Sequence, residues 1–551
     1  MLAVELIIEA SLRRSDESIA QLLSLRLARV LRRIAGAFRA ECLRDRWFAP
    51  CLALLACLTL GLQITGGAFT AEFDGHPDEA AHLVSGLLVY DYVTEWPHQN
   101  PIRWAEQYYL HYPKVAIGHW PPGFYMLEAV WWLFSRPSRV SSMVLNAVMC
   151  IWAAAVLYRL IRTLAPGWIA APMACLMIVS PVTQMSFDLT AADLPGLLLS
   201  TLFIAALVRW IAAPSRKILV YLGFLLAAGF LVKGTAAFLL LAPLIAAIIS
   251  RKWREILDGK LLVAAAGIVA VLVIAYRLGP AFLRTSLAPI EYIRVGHSHL
   301  VAAVGALTGY GFGALAVAGI FSALVLRSPM GLAATAVLLS TAAVSSLLRE
   351  ATEPRHYIVV LPAILLLATQ LATWASAGSR LAWLLLIAAA ALFPFHLYHQ
   401  KPAGFAELRR QIRLPARMLV SSNASGEGAW IAEVALGEKR PASVVARASQ
   451  ILAVEDWDGA YYRLVATTPQ AVARRLDELN LDTIVVDSRP GLLVLPHHAL
   501  LKGVLQGSPA WRICAESGAI QAFCRVLEPT VPRVPLQIDL GRSIGRVITE
   551  R

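Results

Sequence analysis

The chain has 551 residues, 58% of them hydrophobic and 15% charged, with a mean hydropathy of +0.63. A soluble domain rarely sustains such values, so the composition points to an α-helical polytopic membrane protein. The formal charge of +13 would suggest nucleic acid as partner in a soluble chain. Here the basic residues sit in short loops between apolar runs, where they set topology and meet anionic headgroups, so the expected partner is the bilayer and not nucleic acid.

Residues 1–46 form a basic amphipathic segment carrying Arg13, Arg14, Arg26, Arg29, Arg32, Arg33 and Arg39. It lacks the apolar stretch of a cleavable signal and suits a helix lying on the cytoplasmic face. Long apolar runs follow over 48–69, 140–161, 168–187, 194–211, 218–232, 235–250, 260–277, 300–326, 330–348, 356–376 and 381–398. The run 121–134 is shorter than the ~17–25 residues of a spanning helix and reads as re-entrant or interfacial. With that segment not crossing and the N-terminus inside, the dense basic loops (Arg159 and Arg162; Arg209, Arg216 and Lys217; Arg251, Lys252 and Arg254; Arg327; Arg380) all fall on the cytoplasmic side. About eleven spans result, with the C-terminus outside. The same choice puts Asp74, Asp78, Glu79, Asp188, Asp193, Lys233, Glu291, Glu350, Glu353, Arg355 and His356 at the outer face.

The tail changes character. Met418–Ser421, Ser443–Ala446, Tyr461–Ala466 and Thr483–Asp487 read as strands, and Trp430–Leu436 as a helix. Thr468-Pro469 reads as an N-cap and first helical residue leading into an amphipathic helix over Gln470–Leu479. Alternating elements predict a small extracytoplasmic α/β domain over 399–551, behind a transmembrane region over 47–398 whose first outer loop is 70–139. Its role reads as acceptor binding, a lid, or a structural cap. Cys514 and Cys524 flank a Gly518 turn in a predicted hairpin and are a candidate disulfide if this part lies outside the cell. The other five cysteines lie in or beside apolar runs and read as packing residues.

Chemistry concentrates at the outer face. Asp78 and Glu79 are adjacent carboxylates just beyond the first span, where one can accept a proton while the other orients a substrate. Capping of the helix that follows is the alternative. His76, Asp78, Glu79 and His82 are metal-ligand types, but their spacing matches no zinc motif. His119-Trp120-Pro121-Pro122 sets a rigid turn, with His119 and Lys114 candidates for a lipid phosphate, against an aromatic anchor belt as the alternative. Asp188 and Asp193 are outer-face carboxylates after a proline-interrupted span, although Asp193 also suits a helix start. Lys233 caps an otherwise apolar hairpin, so it snorkels or meets a phosphate. Arg355, followed by His356, opposes the positive-inside trend, and either a phosphate or Glu350 and Glu353 would partner it.

In that order these residues resemble the C-type integral membrane glycosyltransferases, among them the bacterial relatives of protein O-mannosyltransferases and the aminoarabinose transferases. The resemblance spans 48–376 and rests on the Asp-Glu outer loop, His-x-Pro-Pro, Asp-Leu-Pro, Gly-Phe-Leu-Val-Lys-Gly and Glu-Pro-Arg-His-Tyr. It implies inverting transfer of a sugar from a polyprenyl-phosphate donor to a protein, lipid or glycan acceptor at the outer face of a bacterial plasma membrane. Under it, Asp78 is the base, Glu79 assists or holds the acceptor, and Asp193 is the second acid. His119, Lys114, Lys233, Arg355 and His356 then bind donor phosphate or lipid. Neither route decides whether a divalent cation takes part. A transporter or flippase, or a scaffold with a partner-binding tail, is the competing reading. The absence of an internal repeat and the one-sided acids weigh against transport.

Overall fold

The computed structural model describes Gly36 and residues 40–550, apart from 96, 118, 257–296, 347–352, 377–380, 456–461, 493–494, 530 and 541–545. Most of the basic segment 1–46, the apolar run 260–277, and Glu291, Glu350 and Arg380 lie outside the described residues.

The chain is a helical bundle carrying a small sheet domain. Helix α1 (Phe48–Gly66) ends at Gly67, whose φ of 79° is the left-handed conformation that closes a helix without Cβ strain. Two helices, α2 (Glu79–Glu95) and the amphipathic α3 (Pro101–His111), form the first loop, followed by the short α4 (Gly123–Trp132). Helix α5 (Arg139–Arg162) starts at Ser138, whose hydroxyl accepts from the Ser141 amide. At its far end Arg162 and Arg159 bind Asp45 and Glu41, just before α1. Next come α6 (Gly167–Val179), α7 (Pro181–Asp188), α8 (Asp193–Ala212), α9 (Arg216–Val232), α10 (Ala242–Ile249), α11 (His297–Leu326), α12 (Pro329–Ser345), α13 (Leu361–Ser376) and α14 (Leu381–Ala391). A 3-10 turn precedes α10 (Gly234–Leu239), and another precedes α13 (Pro354–Val360). Helix α11 is broken at Gly309 (φ 75°), where a side chain would meet the Leu392 carbonyl.

Among the described residues five helices are long and apolar enough to cross a membrane: Phe48–Gly66, Arg139–Arg162, Asp193–Ala212, His299–Leu326 and Pro354–Ala375. A sixth crossing results if α6 and α7, bent by 59° at Ser180-Pro181, act as one. The expected count of about eleven is thus met only in part. The 17-residue α9 and α12 and the 11-residue α14 reach only ~16–26 Å at 1.5 Å per residue, against a ~30 Å hydrocarbon core. The 10-residue α4 is far too short to cross, as the run 121–134 suggested.

In the tail, a five-stranded sheet has the order β2-β1-β5-β7-β6, with β1 (Arg417–Ser421), β2 (Val444–Arg447) and β5 (Thr483–Asp487) parallel. The hairpin β6 (Trp511–Ser517) and β7 (Ile520–Arg525) adds antiparallel strands, and Cys514 and Cys524 form a disulfide across it. Two two-stranded ribbons complete the strands: β3 (Ala453–Val454) with β4 (Arg463–Leu464), and β8 (Gln537–Asp539) with β9 (Val547–Thr549). Helices α15 (Phe405–Gln411), α16 (Ala424–Leu436), α17 (Pro469–Glu478) and α18 (Pro496–Gly507) pack on the main sheet or around it. Thr468 caps α17 through the Ala471 amide.

Among the described residues two large hydrophobic cores result, with a small third cluster of Phe124, Tyr125 and Ala192. The first is the helical bundle. The second joins Leu83, Leu87, Trp104 and Tyr108 of the first loop to Leu419, Trp430, Val445 and Ile484 of the tail. The first loop therefore folds as part of the tail's core, and the tail sits at the end of the bundle that carries Asp78.

Candidate active site

Four charged side chains from four separate segments meet at this end. Asp78 lies one residue before α2, and its Oδ2 accepts a 2.6 Å hydrogen bond from Arg355 Nη2. Arg355 is 5% exposed, at the start of the 3-10 turn before α13. Its Nη1 lies 4.0 Å from Asp193 Oδ2, and its Nε donates to Glu353 at 2.5 Å. Asp193 opens α8 yet makes no cap, since the helix begins without a side-chain capping bond. Its Oδ1 instead accepts from Lys233 Nζ at 2.5 Å. Lys233 holds an extended conformation at the break between α9 and the following 3-10 turn, so a bundle helix is interrupted at the site. Asp193 Oδ2 is buried and has no hydrogen-bond partner among the described residues.

Burial raises the Asp78 carboxyl, but the Arg355 charge, then His82, the Arg355 hydrogen bond and His76, outweigh it and hold Asp78 below the usual carboxylate range. The His76 ring accepts from the Asp78 amide and lies 3.6 Å from Glu353, tying the loop to the Arg355 segment. His82, one turn along α2, stacks on Trp120 with ring centroids 4.3 Å apart and shares a 3.2 Å hydrogen bond with the Tyr125 hydroxyl. Burial pushes its imidazole down to about 3, so His82 is neutral at pH 7.

Glu79 points away from Asp78 chemistry and into a separate node around Arg139. That buried guanidinium donates to Glu79 Oε1 (2.7 Å), to the carbonyls of Ala68, Glu72 and Asp188, and to Gln400 Oε1. It therefore ties the Asp78 loop to α1, α7 and the start of the tail. Asp188 belongs to this node and not with Asp193: its side chain packs against Gly66, where an added Cβ would come within 2.8 Å of Oδ2.

The remaining sequence candidates lie around the four. His119 is half-buried on the turn before α4, and that turn is wedged against α9, since a Cβ on Gly123 would meet the Leu231 carbonyl two residues before Lys233. His356 is half-buried beside the four, close enough that the charges of Lys233, Asp193 and Arg355 act on it. Lys114 is buried between α2 and the tail, with Nζ donating to the Ala424 carbonyl at 3.3 Å. Burial, aided by Arg447, draws its ammonium down to about 7. Among the described residues no three His, Cys, Asp or Glu side chains are arranged to hold a metal ion.

Two residues were missed from the sequence. Arg139 opens α5 as an arginine with no neighbouring motif to single it out. Glu128, fully buried on α4 with Oε2 unpartnered among the described residues, was hidden in an apolar run. A lone carboxylate inside an aromatic stretch was the available signal.

Residues 118–278 match the profile of dolichyl-phosphate-mannose-protein mannosyltransferase. No curated protein matches the chain by sequence. In fold it is similar to ArnT from Cupriavidus metallidurans in the apo state (TM-score 0.56, 14% identity, covering 86% of this chain and 97% of that one). The same enzyme bound to undecaprenyl phosphate matches equally (TM-score 0.57, 13% identity, 87% and 99%). The oligosaccharyltransferase of Archaeoglobus fulgidus is a looser likeness (TM-score 0.48, 15% identity, 81% and 70%), too loose to argue from. The chain is a multi-pass membrane protein that shares the GT-C fold of ArnT, and its residues 118–278 match the dolichyl-phosphate-mannose-protein mannosyltransferase model.

Proposed function

We propose that the chain is an inverting glycosyltransferase that moves a sugar from a polyprenyl-phosphate carrier to an acceptor hydroxyl or amine at the extracytoplasmic face of the plasma membrane. The observation that carries this reading is the meeting of Asp78, Arg355, Asp193 and Lys233 at one end of the bundle. A phosphate leaving group needs cations where charge develops, and the acceptor needs a base. Arg355 and Lys233 supply the first. Asp78, 25% exposed, supplies the second. Asp193 Oδ2, without a hydrogen-bond partner among the described residues, accepts from a sugar hydroxyl in this reading. Glu79 serves the base by anchoring its loop through Arg139. His119 and the aromatic turn around it line the approach of the lipid. The undecaprenyl phosphate held by ArnT supports a lipid-phosphate donor. The basic loops support an N-terminus inside and a tail outside.

The test is transfer of labelled sugar from a panel of polyprenyl-phosphate sugars in membranes, wild type against Asp78→Asn. Turnover by the wild type with a loss of ~10²–10⁴ in the variant is expected. Absence of turnover of every donor by folded protein would overturn the reading.

A further inference from the structure

We infer that Arg355 serves Asp78 and the donor phosphate in turn: arrival of the phosphate takes the guanidinium from Asp78 and so releases the base. This rests on the transferase reading and adds an order to it, donor first and proton transfer second.

Three observations lead there. The first is charge. Asp78, Asp193 and Glu353 surround Arg355 and Lys233, three carboxylates against two permanent cations, which leaves one negative charge in excess while the His76 imidazole, 3.6 Å from both Asp78 and Glu353, is uncharged. A phosphodiester anion added to this cluster is repelled unless it replaces a carboxylate. The second is geometry. Arg355 turns Nη2 to Asp78 and Nη1 toward Asp193, and two guanidinium nitrogens side by side match two oxygens of one phosphate. The third is unequal anchoring. Asp193 is 1% exposed and held at 2.5 Å by Lys233, whereas Asp78 is 25% exposed on a loop. Glu353 is 49% exposed but holds Nε, away from the Nη1 and Nη2 pair that would face a phosphate, so the carboxylate that yields that pair is Asp78.

The exchange also resolves a chemical difficulty. A carboxylate gripped by arginine is a weak base, and Asp78 is held below its ordinary range. The groups that act on it are His76 in its own loop, His82 and Tyr125 behind it, Arg355 across from it, and Lys233 and Lys114 further off. His82 is neutral, so Arg355 is the dominant opposing charge. Once Arg355 turns to the phosphate, burial acts on Asp78 with less opposition and its basicity rises. The acceptor O–H then gives its proton to Asp78 as oxygen bonds to the anomeric carbon. The bond from that carbon to the phosphate oxygen breaks, and its electron pair leaves with the polyprenyl phosphate, whose added negative charge Arg355 and Lys233 meet.

The experiment is equilibrium binding of undecaprenyl phosphate to the full chain in nanodiscs, for wild type, Asp78→Asn, Arg355→Gln and the double variant. If Asp78 competes for Arg355, Asp78→Asn binds on the order of tenfold more tightly than wild type. That gain disappears in the Arg355→Gln background, where both proteins bind weakly. Equal or weaker binding by Asp78→Asn, or a gain that survives loss of Arg355, overturns the exchange. A second measurement needs no variant. The acid limb of kcat reports the donor-bound enzyme, and that of kcat/KM for the donor reports the free enzyme. The kcat limb is expected at higher pH by about one unit or more, and coincident limbs overturn the proposal. Tighter binding by Asp78→Asn in a chain that transfers no sugar would uphold the exchange while overturning the transferase reading.

Discussion

At the scale of single residues, adjacent carboxylates divide sharply. Asp78 faces the cations of the site, while Glu79 is buried and spends its charge on Arg139. Glu79→Gln keeps an oxygen for the Arg139 hydrogen bond, so a kcat loss within about tenfold is expected, against ~10²–10⁴ for Asp78→Asn. Equal losses in the two variants, measured on protein of equal thermal stability, would put Glu79 in contact with substrate. Lys114 makes a prediction in pH. Its buried ammonium titrates near 7, and an unfolded lysine near ~10.4. Between these values the unfolded chain holds the extra proton, so stability rises with pH across that window, and below 7 the burial penalty is present in full. Lys114→Met is therefore expected to raise the melting midpoint at pH 6, with the gain vanishing near pH 10. A lower midpoint at both pH values in tryptophan-fluorescence melts would show that the charge is needed where it lies.

At the scale of elements, the first loop and the tail are one folding unit. Asp91 of α2 accepts two hydrogen bonds from Arg440 at 2.7 and 2.9 Å and a third from the Tyr108 hydroxyl. Glu72 accepts from the Gly404, Phe405 and Ala406 amides at the start of α15, and Arg489 reaches back to Asp74. Breaking a buried pair leaves one charge without compensation, at ~3–5 kcal/mol. Asp91→Ala is expected to destabilise the protein by that order and to open the tail to limited proteolysis near residue 440. Unchanged melting and cleavage would mean the apolar contacts alone hold the tail. This union was not legible in the sequence, because it depends on pairs more than three hundred residues apart. Much else was. Thr468-Pro469 predicted the start of α17, the apolar Thr483–Asp487 predicted a buried strand, and the spacing around Gly518 predicted the hairpin. Asp78, Asp193, Lys233 and Arg355 stood out because each is a charge at the edge of an apolar run. Arg139 did not, since three of its five acceptors are backbone carbonyls, which no residue pattern announces.

At the scale of the molecule, sidedness decides whether the chemistry is possible as proposed. Asp78 and the tail occupy one end of the bundle, and Arg159 and Arg162 with Glu41 and Asp45 occupy the other. If the positive-inside rule governs, the second end is cytoplasmic, and the Asp78 and Arg355 cluster lies at the outer end, on the side of the tail. The short α4 is consistent with this parity, because ten residues do not add a crossing. Alkaline phosphatase fused after residue 399 is then expected to be active and a green fluorescent protein fused there dark, with the reverse for fusions after Arg162. A cytoplasmic signal at 399 would invert the molecule. The disulfide between Cys514 and Cys524 would then face a reducing compartment, and a donor presented outside the cell could not reach Asp78.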